Sequence, residues 1–128
     1  MDHIANMLIT LKNGGAAKKE FVYVPYSNLK AAIATKLFEM GYIKSYAKKN
    51  RKNGTVLEMG IQYTVQGPRI NDVKRISKLS RRLYVGVKDI RPVKQGKGAL
   101  IISTPKGILN DTEARNERVG GEPLFEIW

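Results

Sequence analysis

Leu57-Glu58-Met59-Gly60-Ile61-Gln62-Tyr63-Thr64-Val65-Gln66-Gly67-Pro68 is the stretch on which the fold turns. After Val56, the apolar residues Leu57, Met59, Ile61, Tyr63 and Val65 alternate with Glu58, Gly60, Gln62, Thr64 and Gln66. A period of two marks a strand with one face in a core. Pro68 removes a ladder donor and fixes φ, so the strand is expected to stop at Gln66-Gly67-Pro68. That tripeptide is the expected boundary between two lobes, residues 1–66 and 67–128.

Upstream, Ile4, Met7, Leu8 and Leu11 fall at i, i+3, i+4 and i+7, one face of an amphipathic helix that Gly14-Gly15 is expected to end. Phe21 to Pro25 reads as a short strand with Val22 and Val24 on one side. Ser27 stands just before Leu29, Ala32, Ile33 and Leu37 at helical spacing, so its oxygen is expected to cap a second helix. Met40 continues that stripe and Gly41 ends it. Ile43 to Ala47 reads as a strand, and Lys48 to Gly54 as a basic turn in which Asn53-Gly54 is a hairpin signal.

Downstream, Lys97-Gly98-Ala99-Leu100-Ile101-Ile102-Ser103-Thr104-Pro105-Lys106-Gly107 runs an apolar strand into a loop of hydroxyls, glycine and one lysine. A polar helix is expected from Asn110 to Val119, with Asn110 and Glu113 forming a capping box. Gly120-Gly121 then leads into a last strand, Glu122 to Trp128. A helix–strand–helix–strand–strand half followed by a mostly β half is an α+β fold of two small lobes.

With 128 residues and 42% apolar content, the chain suits one ordinary domain or two small lobes. Its net charge of +12 repels itself in the folded state, and a polyanionic partner explains it better than stability does. Nucleic acid and an anionic membrane share that sign. Apolar runs such as Ala99 to Ile102 are far short of a span, and no basic amphipathic helix has a strong apolar face. No membrane partner is expected. Met1-Asp2-His3-Ile4 lacks the basic start and apolar run of a signal peptide. Cysteine is absent, which excludes disulfides and suits the cytoplasm. One histidine without cysteine leaves no ordinary zinc site. No cofactor is expected.

From Arg69 to Lys106 there are eleven Lys or Arg against Asp72 and Asp89. From Gly107 onward the balance turns acidic. A solvated basic face is the plain reading of any charge run, yet this density beside the hydroxyl loop suits a surface that tracks phosphates. Tyr84 follows Arg81-Arg82 in a stretch that reads as a strand. It has two readings, stacking on an unpaired base or packing in the core with its hydroxyl at the edge. Tyr23, Tyr26, Tyr42, Tyr46 and Tyr63 are expected in core or lobe packing, and Phe125 and Trp128 as core anchors. Gly120 is placed to be the left-handed residue that stops the helix. Gly121 is then free to let backbone come close to a ligand.

Enzymatic constellations are missing. Ser103 and Thr104 need a base, and the sole histidine, His3, lies at the other end of the chain, where it is expected on the surface. Neither a Gly-x-Ser-x-Gly elbow nor a Walker phosphate loop occurs. Glu113 and Glu117, beside Arg115 and Arg118, read as solvated helix charges rather than an acid–base pair. No enzyme is expected.

An apolar strand, Ser-Thr-x-Lys-Gly, a helix with Glu-Ala-Arg, Val-Gly-Gly-Glu and a closing strand closely resemble the C-terminal signature of the bacterial small-subunit ribosomal protein eight family. The resemblance spans nearly the whole chain and is weakest between Lys44 and Pro68. It implies a mixed N-terminal lobe, a largely β C-terminal lobe, and a cytoplasmic place within the small ribosomal subunit. It also implies direct, early binding to the central domain of small-subunit ribosomal RNA, on an irregular helix with an internal loop, beside neighbouring ribosomal proteins. Ser103, Thr104, Lys106, Gly107, Gly120, Gly121 and Glu122 match the family's main RNA contacts. Ser27 and Lys30 match an N-terminal contact to the RNA backbone, and Arg75-Ile76-Ser77-Lys78 resembles the family's Arg-Val-Ser-Lys segment. Feedback on the chain's own messenger RNA, through a mimic of the ribosomal site, is the alternative role the family implies. Pro105 stands where the family usually has a second serine. It brings neither hydroxyl nor N–H, but fixes φ before binding. Leu79-Ser80 stands where Pro-Gly is common.

Overall fold

Helix α1 (His3–Ala16) buries Ile4, Met7, Leu8 and Leu11, the face that the spacing requires, and His3 is exposed. The computed structural model describes residues 2–78 and 80–128, so Leu79 lies outside the described residues. Gly14-Gly15 do not end α1. They lie inside it, where neighbours leave no room for a side chain: a Cβ at Gly14 would stand 2.4 Å from Val22 Cγ1 of strand β1 (Phe21–Pro25), and one at Gly15 would stand 3.0 Å from Pro68 Cβ.

Helix α2 (Asn28–Glu39) begins as expected, with Ser27 Oγ accepting from the Lys30 N–H at 3.1 Å. It ends before Gly41, whose φ of 81° suits glycine. Its buried face is Lys30, Ile33, Ala34, Lys36 and Leu37, while Leu29 and Ala32 turn outward. The expected stripe shares Ile33 and Leu37 with this one, and spacing alone does not separate the two; packing selected the face that carries lysines.

Strands β2 (Ile43–Arg51) and β3 (Gly54–Ile61) form a hairpin that continues through the basic segment, with Lys52-Asn53 as its turn and Arg51 paired with Gly54. The antiparallel sheet has the order β1-β3-β2. Val22, Val24, Leu57, Met59 and Ile61 are buried. The alternation fails beyond Ile61, where Tyr63 and Val65 are exposed. There the chain leaves the sheet and forms its own hairpin, β4 (Tyr63–Thr64) with β5 (Gly67–Pro68). Gln66-Gly67-Pro68 thus closes a hairpin within the first of two compact units. The units are His3–Asn71, and Asp72–Trp128 together with Asp2.

The second unit is a four-stranded antiparallel sheet of β6 (Val73–Arg75), β7 (Ala99–Thr104), β8 (Gly107–Asn110) and β9 (Glu122–Ile127), ordered β6-β9-β7-β8. Helix α3 (Asp111–Glu117) has the expected capping box between Asn110 and Glu113. Ile90, Val93, Leu100, Ile102 and Ala114 form a core on which the partly buried Trp128 packs. Phe125 is fully buried. The architecture is α+β, mixed in the first unit and strand-rich in the second.

Three sequence expectations need correction. The hydroxyl loop is a hairpin, because Gly107 to Asn110 pairs with β7 as β8. The described residues around Tyr84 form no strand; among them only the isolated bridges Lys78↔Arg81 and Val85↔Gly121 occur. Of Tyr23, Tyr26, Tyr42, Tyr46 and Tyr63, Tyr42 alone is buried. The others have places nearer the surface that suit an amphipathic ring: Lys48 Nζ lies 4.6 Å from the Tyr26 centroid, and the Tyr63 hydroxyl donates to Lys19 O.

Candidate nucleic-acid interface

The β7–β8 turn is built by its threonine. Thr104 Oγ1 donates to Gly107 O at 2.8 Å and accepts from the Lys106 N–H at 3.1 Å. Gly107 takes a φ of 107°, which favours glycine. The β4–β5 hairpin repeats the arrangement: Thr64 Oγ1 donates to Gly67 O and accepts from the Gln66 N–H. Thr104 and Gly107 therefore have a shaping role. Pro105 fits because this turn asks no N–H of it. Ser103 is half-buried, and its hydroxyl has no partner among the described residues. Lys106 Nζ lies 3.0 Å from Glu117 Oε2, with both side chains more than half exposed. Such a pair is worth about 0–1 kcal/mol, so a phosphate can displace it.

The residue in the left-handed region after α3 is Arg118, at φ 56° and ψ 45°, and not Gly120. Gly120 and Gly121 answer a different demand. A Cβ at Gly120 would stand 2.3 Å from Val85 O, and one at Gly121 would stand 2.1 Å from Ser103 O. Both are buried, so they serve contacts of backbone with backbone inside the unit. Gly121 and Val85 exchange backbone hydrogen bonds of 2.8 and 3.0 Å, and Glu122 pairs in register with Ser103. Ser103, Gly121, Glu122 and the segment bearing Tyr84 therefore meet at one end of the sheet. Tyr84 is 77% exposed, which removes its core reading. Its hydroxyl lies 3.2 Å from where a Gly120 Cβ would be.

Ser77 is the residue that sequence reasoning passed over. It is fully buried, donates to Glu122 Oε2, and accepts from the Leu83 N–H at 3.1 Å. Glu122 Oε1 lies 3.5 Å from Arg82 Nη1. Ser77 thus ties the Arg82–Tyr84 segment to the Gly-Gly-Glu turn. A register shift in β9 makes this possible: Ile101 pairs with Phe125, but Ile102 pairs with Pro123. Leu124 O accepts from the Ile76 N–H at 3.1 Å and also from Arg75, while Pro123 O accepts from the Ser77 N–H at 3.0 Å. Arg75 also holds Asp2 at 3.0 and 3.1 Å. Arg75 is thereby engaged within the fold, and Lys78 beyond it is exposed. The serine between Ile76 and Lys78 was the available signal, but its partners come from distant segments.

Ser27 and Lys30 belong to the first unit. Lys30 is 5% exposed, and its ammonium has no bonded partner among the described residues. Burial strips water from the charged form and lowers its pKa from the ordinary 10.5. With His3, Tyr26, Ser27 and Leu29 it lines an open hollow of about 400 Å³. The N-terminus of α2 and an unpaired lysine there suit an anion.

Among the described residues, no cluster of His, Asp and Glu is arranged to hold a metal ion, and no helix is long and apolar enough to cross a membrane. Fold and site together define a class: small, strongly basic α+β proteins of two units whose polar groups gather at a sheet end without a catalytic constellation. The chain belongs to the ribosomal protein S8 family, whose model matches residues 2–128. Small ribosomal subunit protein uS8 of Persephonella marina is 44% identical over 133 residues, covering 99% of this chain and 98% of that protein. Its counterpart in Erythrobacter litoralis is 40% identical over 127 residues, covering 99% and 97%. That of Mycoplasmopsis agalactiae is 40% identical over the same length, with the same coverage. The role of the chain is structural and ribosomal, not enzymatic.

Proposed function

We propose that the chain works in the cytoplasm as a constituent of the small ribosomal subunit, binding the central domain of its RNA directly and helping to nucleate assembly. The observation that carries this reading is the gathering of a free Ser103 hydroxyl, Arg82 and the segment bearing the exposed Tyr84 around the Gly-Gly-Glu turn, with Lys106 in the hairpin turn that follows Ser103. Hydroxyls read base edges or 2′-hydroxyls, an aromatic ring stacks on an unpaired base, and cations take phosphates. An irregular helix with an internal loop offers all three. Lys30 adds a backbone contact from the first unit, and Lys78, Arg75, Ser27, Thr104, Gly107, Gly120, Gly121 and Glu122 hold or flank these groups. Adjacent ribosomal proteins would complete the setting. A messenger RNA folded into the same shape would compete for the same surface.

The test is affinity for a central-domain RNA fragment against an unrelated duplex, measured across salt. Four to seven neutralised phosphates give a log–log slope of about −3 to −6. Ser103→Ala should weaken specific binding by about 1–3 kcal/mol, with stability held within about 0.5 kcal/mol. Lys106→Ala should weaken binding to both RNAs and reduce the slope by about one contact. A flat salt response, or equal affinity for both RNAs, rejects the reading.

A further inference from the structure

Phe21 and Tyr23 occupy alternate positions of β1, on the side of the sheet away from the buried Val22 and Val24. They are 36% and 46% exposed. Across the sheet, Phe21 is followed by Gly60 and Ser45, two small residues packed so closely that a Cβ at Gly60 would stand 2.4 Å from Ser45 Oγ. Tyr23 is followed by Glu58 and Ala47. Arg51 lays its guanidinium carbon 5.4 Å from the Tyr23 ring centroid, and Tyr23, Arg51 and Val56 border an open hollow of about 300 Å³. This is an aromatic face on a sheet, with a planar cation held against it. Alternate residues of a strand lie roughly 6.8 Å apart, room for two rings side by side.

We propose that this sheet face is a second nucleic-acid surface, a stacking platform on which Tyr23, Phe21 and Arg51 hold unpaired bases of RNA. An aromatic ring supplies the π-face that every base can use, and an arginine plane supplies the same with positive charge. Charge selects the occupant. Lys49 pairs in register with Val56 on this face, Arg51 lies at its end and Lys52 follows in the turn, against the single carboxylate of Glu58. That balance favours a polyanion over a peptide. The surface belongs to the first unit, whereas Ser103 belongs to the second.

The test uses the full chain, a fluorescent single-stranded oligouridylate of about eight nucleotides, and a duplex of equal length. Tyr23→Ala should weaken single-strand binding about ten-fold or more and duplex binding less than about two-fold. Tyr23→Trp should retain single-strand affinity, and thermal melts confirm that each variant is folded. Equal losses on both RNAs, parent-like binding by Tyr23→Ala, or parent-like binding by the ringless Tyr23→Leu would each overturn the proposal. So would loss of association with another ribosomal protein while oligouridylate binding stays intact, which would make the face a protein dock.

Discussion

A methyl group at Gly121 would stand 2.1 Å from Ser103 O and 2.9 Å from its carbonyl carbon. No side chain can swing aside there, so the two strands must part. Gly121→Ala should cost about 1–3 kcal/mol of stability, as overpacking does, and disturb Ser103 along with it; a melt like the parent's would contradict this. Sequence alone suggested that Gly121 lets backbone approach RNA, and a glycine pair after a helix fits that reading as well as it fits internal crowding. Only the partner strand decides. Lys30 makes a different demand. Its folded pKa lies below 10.5, so the folded chain binds fewer protons than the unfolded one between those values. Stability therefore rises with pH through that window, and the cost of burying the charge is present in full below it. Lys30→Met should be more stable than the parent at neutral pH, with weaker RNA binding. The difference in stability should narrow as pH climbs toward 10.5; a constant difference in denaturant melts would refute the linkage.

Helix ends follow local chemistry, and they were largely legible. Ser27 at the start of α2, the Asn110–Glu113 box of α3 and Gly41 after α2 each depend on residues within one turn. The end of α3 was not legible, since Arg118 occupies the left-handed region where glycine was expected two residues later. Arg118→Gly should relieve that strain and stabilise the chain by about 0.5–1 kcal/mol; a lower melting temperature would show that the arginine earns its place by other contacts. What sequence missed was set by distant partners. Gly14 and Gly15 are kept free of side chains inside the helix by Val22 and Pro68, which come from other segments, and Leu29 turns outward because α2 packs by its Lys30 side. The stretch holding Tyr84 is pinned by Ser77 and Gly121 instead of pairing as a strand.

Across the whole molecule, charge was the most readable property and its arrangement the least. A net charge of +12 and eleven cations between Arg69 and Lys106 pointed to a polyanion. They did not reveal that Arg75 holds Asp2, or that Arg82 faces Glu122. The Ser-Thr-x-Lys-Gly and Gly-Gly-Glu motifs were legible as a signature, and the structure adds a division of labour within it. Thr104, Gly107, Gly120 and Gly121 shape the sheet end, while Ser103, Lys106 and Tyr84 face outward or remain open to a ligand. The central claim is that this end recognises one region of small-subunit RNA. A hydroxyl-radical footprint of the chain on intact small-subunit RNA tests it most directly. We expect protection confined to an irregular helix of the central domain, and faded in Ser103→Ala at equal protein concentration. Protection spread evenly over the RNA, or centred outside that domain, would contradict the account.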